Sequence, residues 1–134
     1  MKPAFRVAVL PGAVFVALLV LLELLDEGFG LNLSRLGVYP RTLQGLPGIL
    51  VAPLIHGGWL HLISNSFALL VLGSVLYYGY PRTALPLLVL VWLGSGFGVW
   101  LFARDSFHFG ASGLTHGLMF FIFVSGILRH DRLS

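Results

Sequence analysis

The run Phe109–Leu128, FGASGLTHGLMFFIFVSGIL, holds twenty residues and no formal charge. It is long enough to cross a bilayer core of roughly 30 Å. Its first turn contains Gly110-Ala111-Ser112-Gly113, a serine among glycines. Glycine lets the backbone turn sharply and lets other atoms come close. A serine placed there sits where a helix begins, beside N–H groups with no partner inside the helix. Such N–H groups can receive an oxyanion, so the position suits a nucleophile. Taken alone, the same residues also fit plain helix packing, since Gly, Ala and Ser are common where membrane helices approach closely.

The whole chain shares this apolar character. Of its 134 residues 57% are hydrophobic and 10% charged, and the mean hydropathy is +0.95. A water-soluble domain is not built this way. The chain has no cysteine, which removes disulfides, thiolate metal sites and a cysteine nucleophile. Eight Lys and Arg stand against five Asp and Glu. They are scattered and form no patch suited to nucleic acid. No cofactor or metal site is indicated.

Working outward from Phe109, three more spans emerge. Val7–Leu25 is apolar apart from Glu23 and is followed by Asp26 and Glu27. No small-x-small cleavage pattern ends it, so it reads as a retained first helix and not a signal peptide. Glu23 is expected near the outer interface, where a carboxylate stays hydrated. Residues 59–79 form a second helix, polar in its first half and aliphatic in its second. Tyr77, Tyr78 and Tyr80 mark its far interface. Residues 83–103 form a third, with Gly94, Gly96 and Gly98 for close packing. Residues 112–129 form the fourth. The first loop, 26–55, is too long for a passive link. Within it Leu46–Ile55 is apolar but interrupted by Pro47 and Pro53. That piece is too short to span and reads as interfacial or re-entrant. The fold expected is all-α, a polytopic membrane bundle with four transmembrane helices.

Four spans put both chain ends on one side. Lys2, Arg6, Arg82, Arg129 and Arg132 lie there, against Arg35, Arg41 and Arg104 on the other. The bias predicts a cytoplasmic N-terminus, in a multi-pass protein of a bacterial-type inner or plasma membrane. It also gathers the first loop, the polar start of the second helix and Ser112 at the outer leaflet. His61 and Asn65 are four residues apart and share one face of that helix. Polar groups within a span are costly unless they face a partner or a water-filled cavity. Two readings remain open for the pair. They can be hydrogen-bond glue between helices, or donors to a developing negative charge.

These residues carry a resemblance. His56-Gly57-Gly58-Trp59-Leu60-His61-Leu62-Ile63-Ser64-Asn65 resembles the HxxxxHxxxN motif of rhomboid intramembrane proteases, and Gly110-Ala111-Ser112-Gly113 resembles their GxSG motif. Gly37-Val38-Tyr39-Pro40-Arg41 with Gly45–Ile55 is similar to the first-loop segment of many bacterial members. The likeness runs over essentially the whole chain. It implies a partial rhomboid domain over 1–134 and an enzyme, an intramembrane serine endopeptidase. Its partners would be transmembrane protein substrates in the lipid bilayer. By the motif match Ser112 would be the nucleophile, and His61, Asn65 and the Ser112 N–H would form the oxyanion hole. Gly110 and Gly113 would leave room for substrate. His56 would support the first loop, and His116, one turn after Ser112, would serve in packing or support. His108 is expected in a solvated loop.

The family's general base is a histidine on a sixth helix, whereas this chain stops after the fourth. A serine without an adjacent base is a weak nucleophile. The stretch is therefore expected to be truncated, to have little or no proteolytic activity alone, and to assemble poorly. The alternative is a non-catalytic rhomboid-like protein that binds transmembrane helices. A small structural or transport bundle is a third reading.

Overall fold

The computed structural model describes the backbone of residues 1–133. The described residues are helical, with one isolated antiparallel β-bridge. Four helices are long and apolar enough to cross a membrane: α1 (Phe5–Phe29), α3 (Trp59–Gly79), α4 (Ala84–Phe102) and α5, which runs Ser112–Leu133. A short helix, α2 (Gly48–Val51), and two 3-10 turns, Leu33–Leu36 and Ala52–Leu54, lie in the first loop. The broken apolar piece around Pro47 and Pro53 is thus coiled but does not span.

α3 is central. α1 packs on one side of it and α5 on the other, while α4 packs on α5 and α2. Leu62, Leu69 and Leu76 recur every seven residues along α3 and are all buried. They meet Leu19 of α1 and Leu114 and Leu118 of α5 in one cluster. Seven residues are two helical turns, so the three leucines form one stripe. α4 buries only Ala84. Large side chains such as Phe97, Leu90, Phe120 and Phe123 stand exposed around the bundle. In water such a surface would aggregate; in lipid it is the expected exterior.

α1 is longer than its charge pattern suggests. It continues through Asp26 and Glu27 and ends where Gly30 turns left-handed, its N–H bonded to the Asp26 carbonyl. The acidic pair does not end the helix because it is anchored forward. The Asp26 Oδ1 accepts the Leu33 N–H at 3.1 Å, and the Glu27 Oε2 accepts the Trp59 indole N–H at 2.8 Å. Glu23, one turn before Glu27 in the same helix, is packed into the bundle and only 5% exposed. This corrects the expectation of a hydrated interfacial carboxylate.

The first loop folds back on itself and onto the end of α4. Val38 and His108 exchange both backbone hydrogen bonds at 2.8 Å. The Trp100 and Trp92 indoles donate to the carbonyls of Thr42 (2.8 Å) and Leu50 (3.1 Å). Arg41 caps α4. Its Nη1 donates to the carbonyls of Leu101 and Ala103, its Nη2 pairs with Asp105, and its backbone N–H reaches Trp100 O. The last carbonyls of a helix have no internal partner, and a cation there also suits the helix dipole. Arg41 adopts φ 56° to do this, a left-handed conformation that costs an L-residue about 1–2 kcal/mol. Gly48 makes the fold-back possible, because a Cβ there would collide with the Gly37 carbonyl and the Val38 nitrogen.

Gly48→Ala is therefore expected to lower stability by about 1–3 kcal/mol through forced overpacking. Gly28→Ala, where a Cβ meets nothing within 4 Å, should be neutral or slightly stabilising. Thermal midpoints in detergent check this; equal midpoints for the two variants would contradict the packed first loop.

Candidate functional site

The site lies at the end of the bundle where α3 and α5 begin. The HGGW segment reaches it by an extended turn, Gly58 taking φ 131° before α3 starts at Trp59. The loop after α4 arrives from the other side, held by the Val38 bridge and by the Gly110 N–H donating to Ala52 O at 2.8 Å. α5 starts at Ser112, so the N–H groups of its first turn point out of the helix end.

Two histidines and the loop before α5 meet here. His56 is 3% exposed, and its Nε2 accepts the Ala111 N–H at 3.3 Å. The His56 and His61 rings pack edge to face, 5.0 Å between centroids. His61 lies directly over Gly110, where a Cβ would fall 2.6 Å from the His61 Cε1 and 2.9 Å from its Nε2. Gly110 also takes φ 108°. Glycine is required there twice, once for the backbone angle and once to admit the imidazole.

Burial, then repulsion from His61, pushes the His56 imidazole down from 6.5 to about 4. The ring is therefore neutral at ordinary pH. With Nε2 accepting, the proton is on Nδ1.

Ser112 is exposed. Among the described residues its hydroxyl makes no hydrogen bond to protein. Its carbonyl is well occupied: the Thr115 hydroxyl donates to it at 2.8 Å and the His116 Nδ1 at 2.6 Å. His116 thus bonds the Ser112 backbone and not the Ser112 hydroxyl. Asn65 is buried one turn below His61, and its amide donates to the His61 carbonyl at 3.2 Å. An Asn NH2 has two donor hydrogens, so one remains. Gly113 faces α4, where a Cβ would lie 3.1 Å from the Ser95 hydroxyl. A small cavity of about 150 Å³ opens beside Ser112 and Gly113, walled by Ile49, Pro53, Gly96 and Phe109.

The structure therefore joins His56, His61, Gly110 and the residue before Ser112. It puts Asn65 on the same helix and leaves His116 on the exposed side of α5. His108 lies in the loop after α4 and is half-exposed, its Nε2 2.9 Å from Arg104 O and 3.3 Å from Ser106 Oγ of the same loop. Trp100 and Asp105, which with Arg41 hold the loop carrying Ser112, carry no recognisable spacing in sequence. Arg41 and Trp100 reach backbone carbonyls some sixty residues away in the chain, and Asp105 pairs with Arg41.

Fold and site together define an integral membrane protein, a helical bundle with a serine and two histidines at one membrane face. A model of the Rhomboid domain matches residues 44–134. The chain belongs to the rhomboid family. Uncharacterized proteins of Mycobacterium bovis and Mycobacterium tuberculosis are each 37% identical over 119 residues, covering 84% of this chain and 50% of their own length. One from Mycobacterium leprae is 34% identical, over 84% of this chain and 47% of its own. The chain spans about half the length of the curated relatives it matches. No solved structure matches it significantly.

The His56 geometry has a pH consequence. Its folded pKa lies below the unfolded value, so the unfolded state binds the extra proton first. Stability should fall as pH drops from 6.5 toward about 4. His56→Gln keeps an acceptor for Ala111 without titrating, and should show a flatter thermal midpoint over that window. An unchanged slope would contradict the assignment.

Proposed function

We propose that this chain carries the nucleophile and the oxyanion-stabilising groups of an intramembrane serine endopeptidase that cleaves transmembrane helices. The observation that carries the proposal is the seating of His61 on Gly110, two residues before an exposed Ser112 at the open N-terminus of a membrane helix. In this reading the Ser112 Oγ attacks the carbonyl carbon of the scissile peptide and its proton passes to a base. The new oxyanion is held by the Ser112 N–H, the imidazole N–H of His61 and the spare Asn65 amide hydrogen. The base returns the proton to the leaving amine, and water then releases the acyl group. Such preorganised donors act strongly because water is scarce at that depth.

The base is a histidine contributed from outside these 134 residues. His56 is unsuited, being buried and having its accepting Nε2 engaged by the Ala111 N–H. His116 is engaged with the Ser112 carbonyl. His56, His116, Gly110 and Gly113 act as supports: His56 holds the GASG loop, and the glycines admit the His61 ring and the α4 wall. The substrates are membrane helices whose backbone unwinds near the membrane face. The excess of Lys and Arg on the side away from Ser112, five against three, supports a cytoplasmic N-terminus, in the inner membrane of a bacterial cell.

The decisive test uses the full-length protein in lipid. A fluorophosphonate probe should label Ser112, and Ser112→Ala should abolish both labelling and cleavage of a model transmembrane substrate. His61→Ala and Asn65→Ala should each lower kcat by about 10²–10³ with the fold intact. An unlabelled Ser112 in a correctly folded protein would overturn the proposal in favour of a non-catalytic, helix-binding role.

A further inference from the structure

α1 ends in three carboxylates, and two of them have evident partners. Asp26 accepts the Leu33 N–H, and Glu27 accepts the Trp59 indole N–H. The third, Glu23, is the most buried of the three. Ala8, Leu19 and Glu23 are the buried residues of α1. Leu19 and Glu23 are one turn apart, so Glu23 continues the stripe that packs on α3. Packing alone would be served by another leucine there. A carboxylate held away from water is costly unless it accepts hydrogen bonds.

The packing of α1 on α3 decides what lies opposite. Phe5 meets the Tyr78 ring, a Cβ on Gly12 would touch Leu69 and Leu70, and Leu19 shares a core with Leu62. The two helices are antiparallel, and the same register brings Glu23 to the start of α3. There the Gly58 N–H faces its carboxylate. Gly57 and Gly58 join His56 to α3, and glycine has no conformational preference that would fix the turn. Gly58 takes φ 131°, and its carbonyl accepts the Leu62 N–H at 3.0 Å as α3 begins. It has no side chain to cap the helix, so the N–H groups at this end need partners from elsewhere. A carboxylate there also suits the helix dipole.

We propose that Glu23 is a positioning residue: its buried carboxylate holds the Gly58 N–H and so fixes the turn between His56 and His61. His61 lies in the first turn of α3, so the place where α3 starts decides where its imidazole lies. That imidazole rests on Gly110 and packs on His56. A turn left free would let the ring drift from the oxyanion position while Ser112 stayed in place. Glu23 touches no reacting atom; it acts through Gly58. The kinetic consequence rests on the proteolytic reading of Ser112 above, whereas the hydrogen bond does not.

Glu23→Met and Glu23→Gln separate positioning from packing. Met is apolar and of similar length, so it fills the stripe without accepting the N–H; Gln keeps an acceptor oxygen. In the full-length protein in lipid, Glu23→Met should hold or raise the thermal midpoint. It should lower kcat on a model transmembrane substrate about ten- to a hundred-fold, with KM little changed. Glu23→Gln should recover most of that loss. A carboxylate that only supports the fold would move stability and kcat together, and Gln would give no selective rescue. Amide exchange at Gly58 reads the bond without any hydrolysis. The N–H should be protected in wild type and Glu23→Gln and exchange markedly faster in Glu23→Met. If wild type fails to cleave, the proteolytic reading falls and the exchange rates still judge the bond. The wild-type rate decides the matter even if Glu23→Met does not assemble. Wild-type Gly58 exchanging at free-peptide rates, equal Gly58 protection in wild type and a folded Glu23→Met, or a Glu23→Met enzyme with wild-type kcat would each overturn the proposal.

Discussion

The structure depends on satisfying the backbone of a segment that is mostly neither helix nor strand. Residues 30–58 lie beside and between membrane spans, where an unpaired N–H or C=O costs several kcal/mol. The first loop meets this demand with partners from the loop after α4. Val38 pairs with His108, Gly110 with Ala52, and Arg41 with the last carbonyls of α4. Each bond satisfies a group on both sides. The two loops consequently form one unit, and neither conformation is expected to survive without the other.

That unit is what positions Ser112. The serine opens α5, but its approach is set by Gly110 and Ala111, one bonded to the first loop and the other to His56. His61 then rests on Gly110. In the proposed chemistry, donors must already be aligned when charge develops, and alignment here comes from backbone bonds rather than from contacts of Ser112 itself. The left-handed Arg41 fits the same logic. Its strain is local and modest, and it is offset by the three carbonyls and the carboxylate that the residue reaches.

Much of this was legible in the sequence because it follows from short-range pattern. Uncharged apolar runs mark the spans, and Pro47 and Pro53 mark a segment that cannot span. The spacing of His56, His61 and Asn65 puts the last two on one helix face near Ser112. Other features were not legible. Glu23 reads as a hydrated carboxylate near the interface, yet it is buried in the bundle, and α1 continues past Asp26 and Glu27, whose carboxylates are anchored to Leu33 and Trp59. Asp105 and His108 look like ordinary loop residues, and the Gly37–Arg41 stretch does not show what Arg41 pairs with. Their roles come from pairing across some sixty to seventy residues, and such pairing leaves no periodicity.

Amide hydrogen exchange in lipid tests the coupling of the two loops most directly. The account predicts that Val38, His108, Gly110 and Ala111 are protected and open together, with a common free energy, while the spans stay closed. Val38 exchanging at free-peptide rates while Gly110 and Ala111 remain protected would show that the first loop does not hold the Ser112 loop, and would contradict the account.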